Sequence, residues 1–240
     1  MDKQFQVKLV IRRVPALAAI QWLKQAWQIF RQAPLCWIQM FAATAFVSLL
    51  GSLNPLLLIV GVLLSPFLTA GLYKAIVAVQ QEQKVSFSWL FKPLQEAECR
   101  AILLRLAAMN MLASIPVSVL LQTLVQQKAA GELQAAAVFL FAALYILTLM
   151  IFAYSVAIAY FLKERRLFSI LQASFIASWR NITALAVFGI LSTGLALLTI
   201  PTALLGMIVV MPVLNIAFFL SFNDFFALQV KTQGDAVLEV

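Results

Sequence analysis

The stretch Ala16–Gly71 reads ALAAIQWLKQAWQIFRQAP (16–34) followed by LCWIQMFAATAFVSLLGSLNPLLLIVGVLLSPFLTAG (35–71). Over its first sixteen residues Leu17, Ile20, Leu23, Trp27 and Phe30 recur at intervals of three and four, with Gln21, Lys24, Gln25, Gln28 and Arg31 mostly on the other side. That period predicts an amphipathic helix lying in a membrane interface, with Trp22 and Trp27 at headgroup depth and Arg31 as an anchor. Pro34 suits the first position of a helix, and two apolar runs follow, 34–50 and 55–79. The GSLNP sequence between them, Gly51–Pro55, has the composition of a tight turn. A surface helix feeding a membrane hairpin is therefore the predicted unit. Pro66, inside the second run, predicts a kink, because proline lacks an N–H and crowds the carbonyl four residues back.

Composition says the same of the whole chain. It has 240 residues, 64% of them hydrophobic and 11% charged, with a mean hydropathy of +0.99. Soluble domains are about 45–50% apolar and about 25% charged, so the solvent for much of this surface is lipid. The net charge is +8 without a single histidine. The basic residues cluster between apolar runs, which makes them topology signals and contacts to anionic headgroups rather than a nucleic-acid footprint. Two cysteines, Cys36 and Cys99, and no histidine leave no ligand set for zinc or haem and no expected disulfide. No metal or cofactor is expected. The basic N-terminal stretch Met1–Val14 is not followed by a signal-peptide apolar core, and it is expected to be retained.

Downstream, Gln80–Arg100 is polar but encloses Val85–Leu94, where Phe87, Leu90, Phe91 and Leu94 share a helical face. A second interfacial segment is expected there, anchored by Trp89 and limited by Pro93. The third span is 101–125, with Arg105 near its start, Asn110 near mid-depth and Pro116 beyond. The fourth is 135–162, ended by Lys163-Glu164-Arg165-Arg166. Residues 168–180 repeat the opening theme with Phe168, Leu171, Phe175 and Trp179 at three- and four-residue spacings, interrupted by Ser169, Gln172, Ser174 and Arg180. The fifth and sixth spans are 182–200 and 201–222, with Pro212 in the last. The expected fold is thus all-α: a polytopic bundle of six transmembrane helices with amphipathic helices on one side. The expected organisation is a tail (1–15), one membrane domain (16–222, in units 16–80, 85–162 and 168–222) and a second tail (223–240).

Sixteen of the 17 Lys and Arg lie in or within a few turns of the N-terminal region, the 80–105 loop, the 163–180 loop and the C-terminal tail, leaving Lys128 on the opposite side. The positive-inside rule then puts both termini in the cytoplasm. Pro55 and Pro66 are matched by Pro201 and Pro212 at the same separation, and each pair follows an amphipathic segment ending in an arginine, Arg31 or Arg180. This predicts a parallel internal repeat.

Among candidate functional residues, Asn110 stands first: ten residues of helix carry it roughly 15 Å into the bilayer. It either makes an interhelical hydrogen bond or contacts a solute or ion. Asn215 is the second intramembrane polar candidate, and Pro66, Pro116 and Pro212 are candidate kinks. Trp27, Arg31, Trp89, Arg105, Trp179 and Arg180 are candidate interfacial anchors. No acid lies inside a predicted span, which argues against proton coupling. Neither paired carboxylates at membrane depth, nor a nucleophile beside a base, nor HExxH, GxSxG or a phosphate loop occurs, so no catalytic residues are expected.

Through FRQAPLCWI (Phe30–Ile38), SLNP (Ser52–Pro55) and SPFLTAGLY (Ser65–Tyr73) the sequence resembles a family of proteobacterial six-span inner-membrane proteins whose function is not established. It is similar in layout to the membrane domain attached to some glycerophosphodiester phosphodiesterases. The resemblance implies a bacterial inner-membrane location and a helical bundle, and it carries no catalytic residues. The expected function is that of a non-catalytic scaffold or accessory subunit acting through lipids and a membrane-protein partner or second copy. Transport of a small or lipid-like solute through the bundle centre is the alternative.

Overall fold

The computed structural model of the protein describes residues 6–202, 204–231 and 237–239. The ends of the two tails (1–5, 232–236 and 240) and Ala203 lie outside the described residues. In chain order the elements are β1 (Gln6–Ile11), α1 (Ala18–Gln32), α2 (Pro34–Leu53), α3 (Pro55–Gln80), a 3₁₀ turn (Phe87–Phe91), α4 (Lys92–Gln95) and α5 (Ala97–Ala130). They continue with α6 (Ala135–Phe152), α7 (Ser155–Phe161), α8 (Leu167–Arg180), α9 (Ile182–Leu197), a second 3₁₀ turn (Ile200–Thr202), α10 (Met207–Phe225), β2 (Phe226–Lys231) and β3 (Val237–Glu239). The fold is an all-α bundle carrying a small three-stranded antiparallel sheet made by the tails. Among the described residues six helical stretches are long and apolar enough to cross a membrane: 34–51, 56–80, 97–130, 135–161, 182–202 and 207–225. Large apolar side chains such as Phe46, Leu56, Leu112, Phe139 and Ile190 stand exposed along them, far more apolar surface than water tolerates on a soluble protein.

The chain divides into two compact units, 1–34 with 176–240 and 35–175, a division that three consecutive two-span units did not anticipate. In the first unit α1 packs along α10 and touches α9. Its buried face is Ala18, Ala19, Trp22, Ala26, Ile29 and Phe30. Trp22, expected among headgroups, is instead 1% exposed, its indole edge-on to Phe188 and Phe225 at 6.2 and 5.6 Å. The correction has a steric cause. Alanines weigh little in an apolar count, yet three of them on one face let α1 approach α10 closely enough to enclose the indole. Leu17, Ile20 and Trp27 are left exposed on the neighbouring face. The N-terminal stretch is also more than a tail: β1 pairs with β2 from Gln6↔Lys231 to Ile11↔Phe226.

In the second unit α2 and α3 form the expected hairpin, with only Asn54 between them. Its side chain accepts from the Leu56 N–H at 2.8 Å, and Pro55 occupies the first turn of α3. The segment 87–95 does not merely float in an interface. Leu90 is fully buried, and its carbonyl lies where a Cβ on Gly71 would stand, 2.1 Å from that position, so the turn is seated directly on α3. The expected fourth span is interrupted: α6 stops at Phe152 and α7 starts at Ser155. Ser174 of α8 bridges the interruption, accepting from the Tyr154 N–H at 3.0 Å and donating to the Met150 carbonyl at 3.1 Å. A backbone break at membrane depth is tolerated when protein groups satisfy it, and Ser174, read from the sequence as an interruption of the apolar face, is fully buried at the break.

The proline correspondence does not carry over into equivalent positions. Pro55 opens α3, whereas Pro201 lies in a 3₁₀ turn and α10 begins only at Met207. Pro66 is therefore eleven residues beyond Pro55 at the head of its helix, while Pro212 stands five beyond Met207. The sixth span accordingly starts six residues later than Pro201.

Candidate functional site

Two sites merit description, both within the second unit. The first surrounds Asn110. This residue is exposed on α5 and lines a half-open cleft of about 190 Å³ with Val47, Ser48 and Gly51 of α2 and Gly61, Val62 and Ser65 of α3. Gly61 lets α3 approach α2 here: a Cβ on it would lie 3.3 Å from the Val47 carbonyl. Ser48 donates back to the Thr44 carbonyl. The Asn110 carboxamide and the Ser65 hydroxyl have no hydrogen-bond partner among the described residues. Farther along α5, Ser114 and Ser118 are exposed but turn their hydroxyls onto the carbonyls of Met111 and Ile115.

The remaining predicted residues disperse. Asn215 is half-buried on α10 in the other unit, so the two intramembrane asparagines fall in different compact bodies. Pro66 and Pro212 are buried inside continuous helices and Pro116 is exposed inside another, and none of them lines the Asn110 cleft. Trp27 and Arg31 are exposed at the end of α1, the indole stacked on Phe30 at 5.6 Å. Trp89 is half-buried beneath the Lys92 ammonium, 3.0 Å from its ring centroid. Arg105 is exposed two turns into α5. Trp179 is 63% exposed. Arg180, also exposed, donates to the Ile11 carbonyl at 3.2 Å, which ties it to the N-terminal strand as well as to the surface.

The second site lies at the ends of three spans and is not one that inspection of the sequence singled out. Lys74, the only charge in the 56–80 run, extends from α3 and donates to Glu96 at the start of α5. Tyr160, in the last turn of α7, donates to the same carboxylate. Burial opposes ionisation of Glu96, but the hydrogen bonds from Lys74 and Tyr160 and the nearby ammonium charges of Lys74 and Lys163 outweigh it and hold the carboxyl below the usual range. Beside this trio an open pocket of about 520 Å³ is lined by Glu96, Glu98, Cys99, Tyr160, Phe161 and Lys163. Lys163 reaches Glu98 only at 3.8 Å, with both side chains largely exposed. The signal available in advance was Lys74 itself. A lysine six residues inside an apolar span needs a partner or a route to the surface, and only the fold shows that its partner is 22 residues away.

The first unit has its own polar contacts, all structural. Asn181 is fully buried; its Oδ1 accepts from the Val14 N–H at 2.9 Å and its Nδ2 donates to the carbonyls of Arg12 and Ala177, each at 3.0 Å. The Trp22 indole N–H donates to Asp224 at 2.6 Å. Ser192 on α9 is the exception, its buried hydroxyl having no partner among the described residues. No group of histidine, cysteine, aspartate and glutamate suited to a metal ion occurs among the described residues. No family model matches the chain, and neither does any curated protein or solved structure.

Proposed function

We propose that this protein is a non-catalytic, multi-pass protein of a bacterial inner membrane, a scaffold or accessory subunit that acts by holding lipids and another transmembrane protein. The observation that carries this reading is the cleft at Asn110. A carboxamide left without a partner at span depth costs a few kcal/mol in hydrocarbon, and lipid tails offer it nothing. Small residues around it, Gly51, Gly61, Ser48 and Ser65, are those that let a further helix approach closely. A docked transmembrane helix supplies both the missing hydrogen bonds and the packing. Charge asymmetry supports a topology with both termini in the cytoplasm, and exposed Trp27, Arg31, Trp179 and Arg180 suit contact with anionic headgroups there.

The alternative, transport of a small or lipid-like solute, draws on the same cleft, since an uncommitted polar group near the midplane also suits a passing ligand. It is weakened by the small size of the cleft. One experiment separates the two. With Cys36 and Cys99 replaced by serine, Asn110→Cys in native membranes is treated with a membrane-impermeant thiol reagent and, separately, with a short apolar bifunctional crosslinker. The scaffold reading expects no aqueous labelling and a discrete crosslinked protein adduct. Rapid aqueous labelling without an adduct transfers the assignment to transport.

A further inference from the structure

The pocket lined by Glu96, Glu98, Cys99, Tyr160, Phe161 and Lys163 is built unlike an anion site and unlike a plain apolar groove. It sits at a defined depth. The third apolar stretch begins at Ala97 and the fourth ends at Phe161, so the lining residues straddle two span ends, at the level of lipid headgroups. Its volume, about 520 Å³, falls in the range of small-molecule sites.

Its charges divide into an inner and an outer set. The inner set is committed: Glu96 accepts from both Lys74 and Tyr160, and the Lys74 ammonium also stands 5.9 Å from the Tyr160 ring centroid. The outer set is not. Glu98 and Lys163 are 68% and 73% exposed and 3.8 Å apart, the outer limit of an ion pair, where the mutual interaction is worth little. Each therefore keeps hydrogen-bonding capacity for a visitor. Arg165, two residues on in sequence, is also exposed. Lys163 has φ 52°, the left-handed conformation common just beyond a helix end, and its side chain belongs to the pocket lining.

A ligand matched to one free carboxylate and to adjacent cations carries both an ammonium and a phosphate. We infer that this pocket binds the headgroup of a zwitterionic phospholipid with a primary amine, of the ethanolamine class, its ammonium donating to Glu98 and its phosphate accepting from Lys163. Two chemical details narrow the class. A choline headgroup has no N–H to donate, and a glycerol headgroup brings a phosphate but no ammonium to set against Glu98. Phe161 supplies an apolar edge beside the lipid's glycerol end. The inference rests on the membrane-spanning reading above but not on the Asn110 cleft.

The test uses the full chain purified in mild detergent and titrated with short-chain phosphatidylethanolamine, phosphatidylcholine or phosphatidylglycerol, or with free phosphoethanolamine, bound molecules being counted by native mass spectrometry. The expected result is one ethanolamine lipid bound about 10-fold more tightly than either other lipid, the scale of one charge-assisted hydrogen bond. Free phosphoethanolamine is expected to compete only weakly, and equal competition would make the ligand a soluble phosphoamine and overturn the lipid assignment. Glu98→Gln should bring ethanolamine and choline lipids to near equality, whereas Lys163→Gln should weaken binding of all three. Both positions are exposed, and unchanged helicity and melting temperature of each variant confirm that the fold is intact. Equal lipid preferences in the wild-type chain, a preference for phosphatidylglycerol, or an unchanged preference in Glu98→Gln overturns the proposal. A carbonate wash of membranes keeps the two levels apart: a chain that stays with the membrane but shows no selectivity removes this site alone, and a chain that is extracted removes the membrane reading as well.

Discussion

The two compact units differ in how some of their polar residues are used, Ser192 of the first and Ser174 and Lys74 of the second standing outside the contrast. In the first, Asn181 and Trp22 are buried and bonded, Trp22 to the exposed Asp224, and they strap the N-terminal segment and α1 onto α9 and α10. In the second, Asn110 and Ser65 at span depth have no partner among the described residues, and Glu98 and Lys163 at the rim barely touch. A polar group inside a membrane protein is expensive unless paired. The first unit therefore uses such groups as internal fasteners. The second leaves Asn110 and Ser65 without a partner among the described residues.

That contrast can be broken by substitution, with unfolding followed in SDS–detergent mixed micelles. The largest effect is expected at a fastener of another kind, Gly71. A Cβ there meets the Leu90 carbonyl at 2.1 Å, so Gly71→Ala should cost about 3 kcal/mol, the upper range for overpacking, and expose 81–96 to protease. Asn181→Ala comes next at about 2 kcal/mol, because the half-buried Val14 N–H and the Arg12 carbonyl lose the buried side chain that joins them. Hydrogen exchange at Val14 should accelerate in step, and an unchanged rate would show that the strap is not held by this side chain.

Asp224→Asn should cost less, about 1 kcal/mol, since a neutral acceptor for the Trp22 N–H remains. A smaller effect still is expected from acid. The Glu96 carboxyl is held below its ordinary range in the folded chain, so its contribution is present above the unfolded carboxylate pKa and fades as pH falls through the folded value. Glu96→Gln should flatten that acid limb of the stability curve, and a limb unchanged by the substitution would assign it to other acids. At the bottom of the scale, Asn110→Leu should leave the isolated chain within about 0.5 kcal/mol of wild type, or stabilise it, because no internal bond is lost. A loss as large as that of Asn181→Ala would erase the distinction between the units.

Much of the architecture was legible in the residues. Apolar runs of span length, the Asn54-Pro55 turn and the amphipathic period before Pro34 each depend on neighbours within a few positions. Local patterns of that kind survive folding intact. The candidate sites were legible only in part. Asn110 was visible as a polar residue in an apolar run, but its lack of a partner among the described residues was not, because partners come from other helices. Lys74 was lost among the basic residues counted for topology. Trp22 was assigned to the headgroups because periodicity reports which side chains are apolar and says nothing of which face a neighbour covers.

By itself, then, the sequence determined that this is a multi-pass helical protein and where its helices lie, since hydrophobic length and period are properties of contiguous residues. Only the tertiary structure decided that α1 belongs with α10, that Ser174 repairs the break at Ala153–Tyr154, and that Lys74, Glu96 and Tyr160 meet. Those pairings join residues from 20 to about 200 positions apart. Nothing in a local pattern encodes them. They follow from which surfaces can be packed closely while most buried polar groups still find a partner.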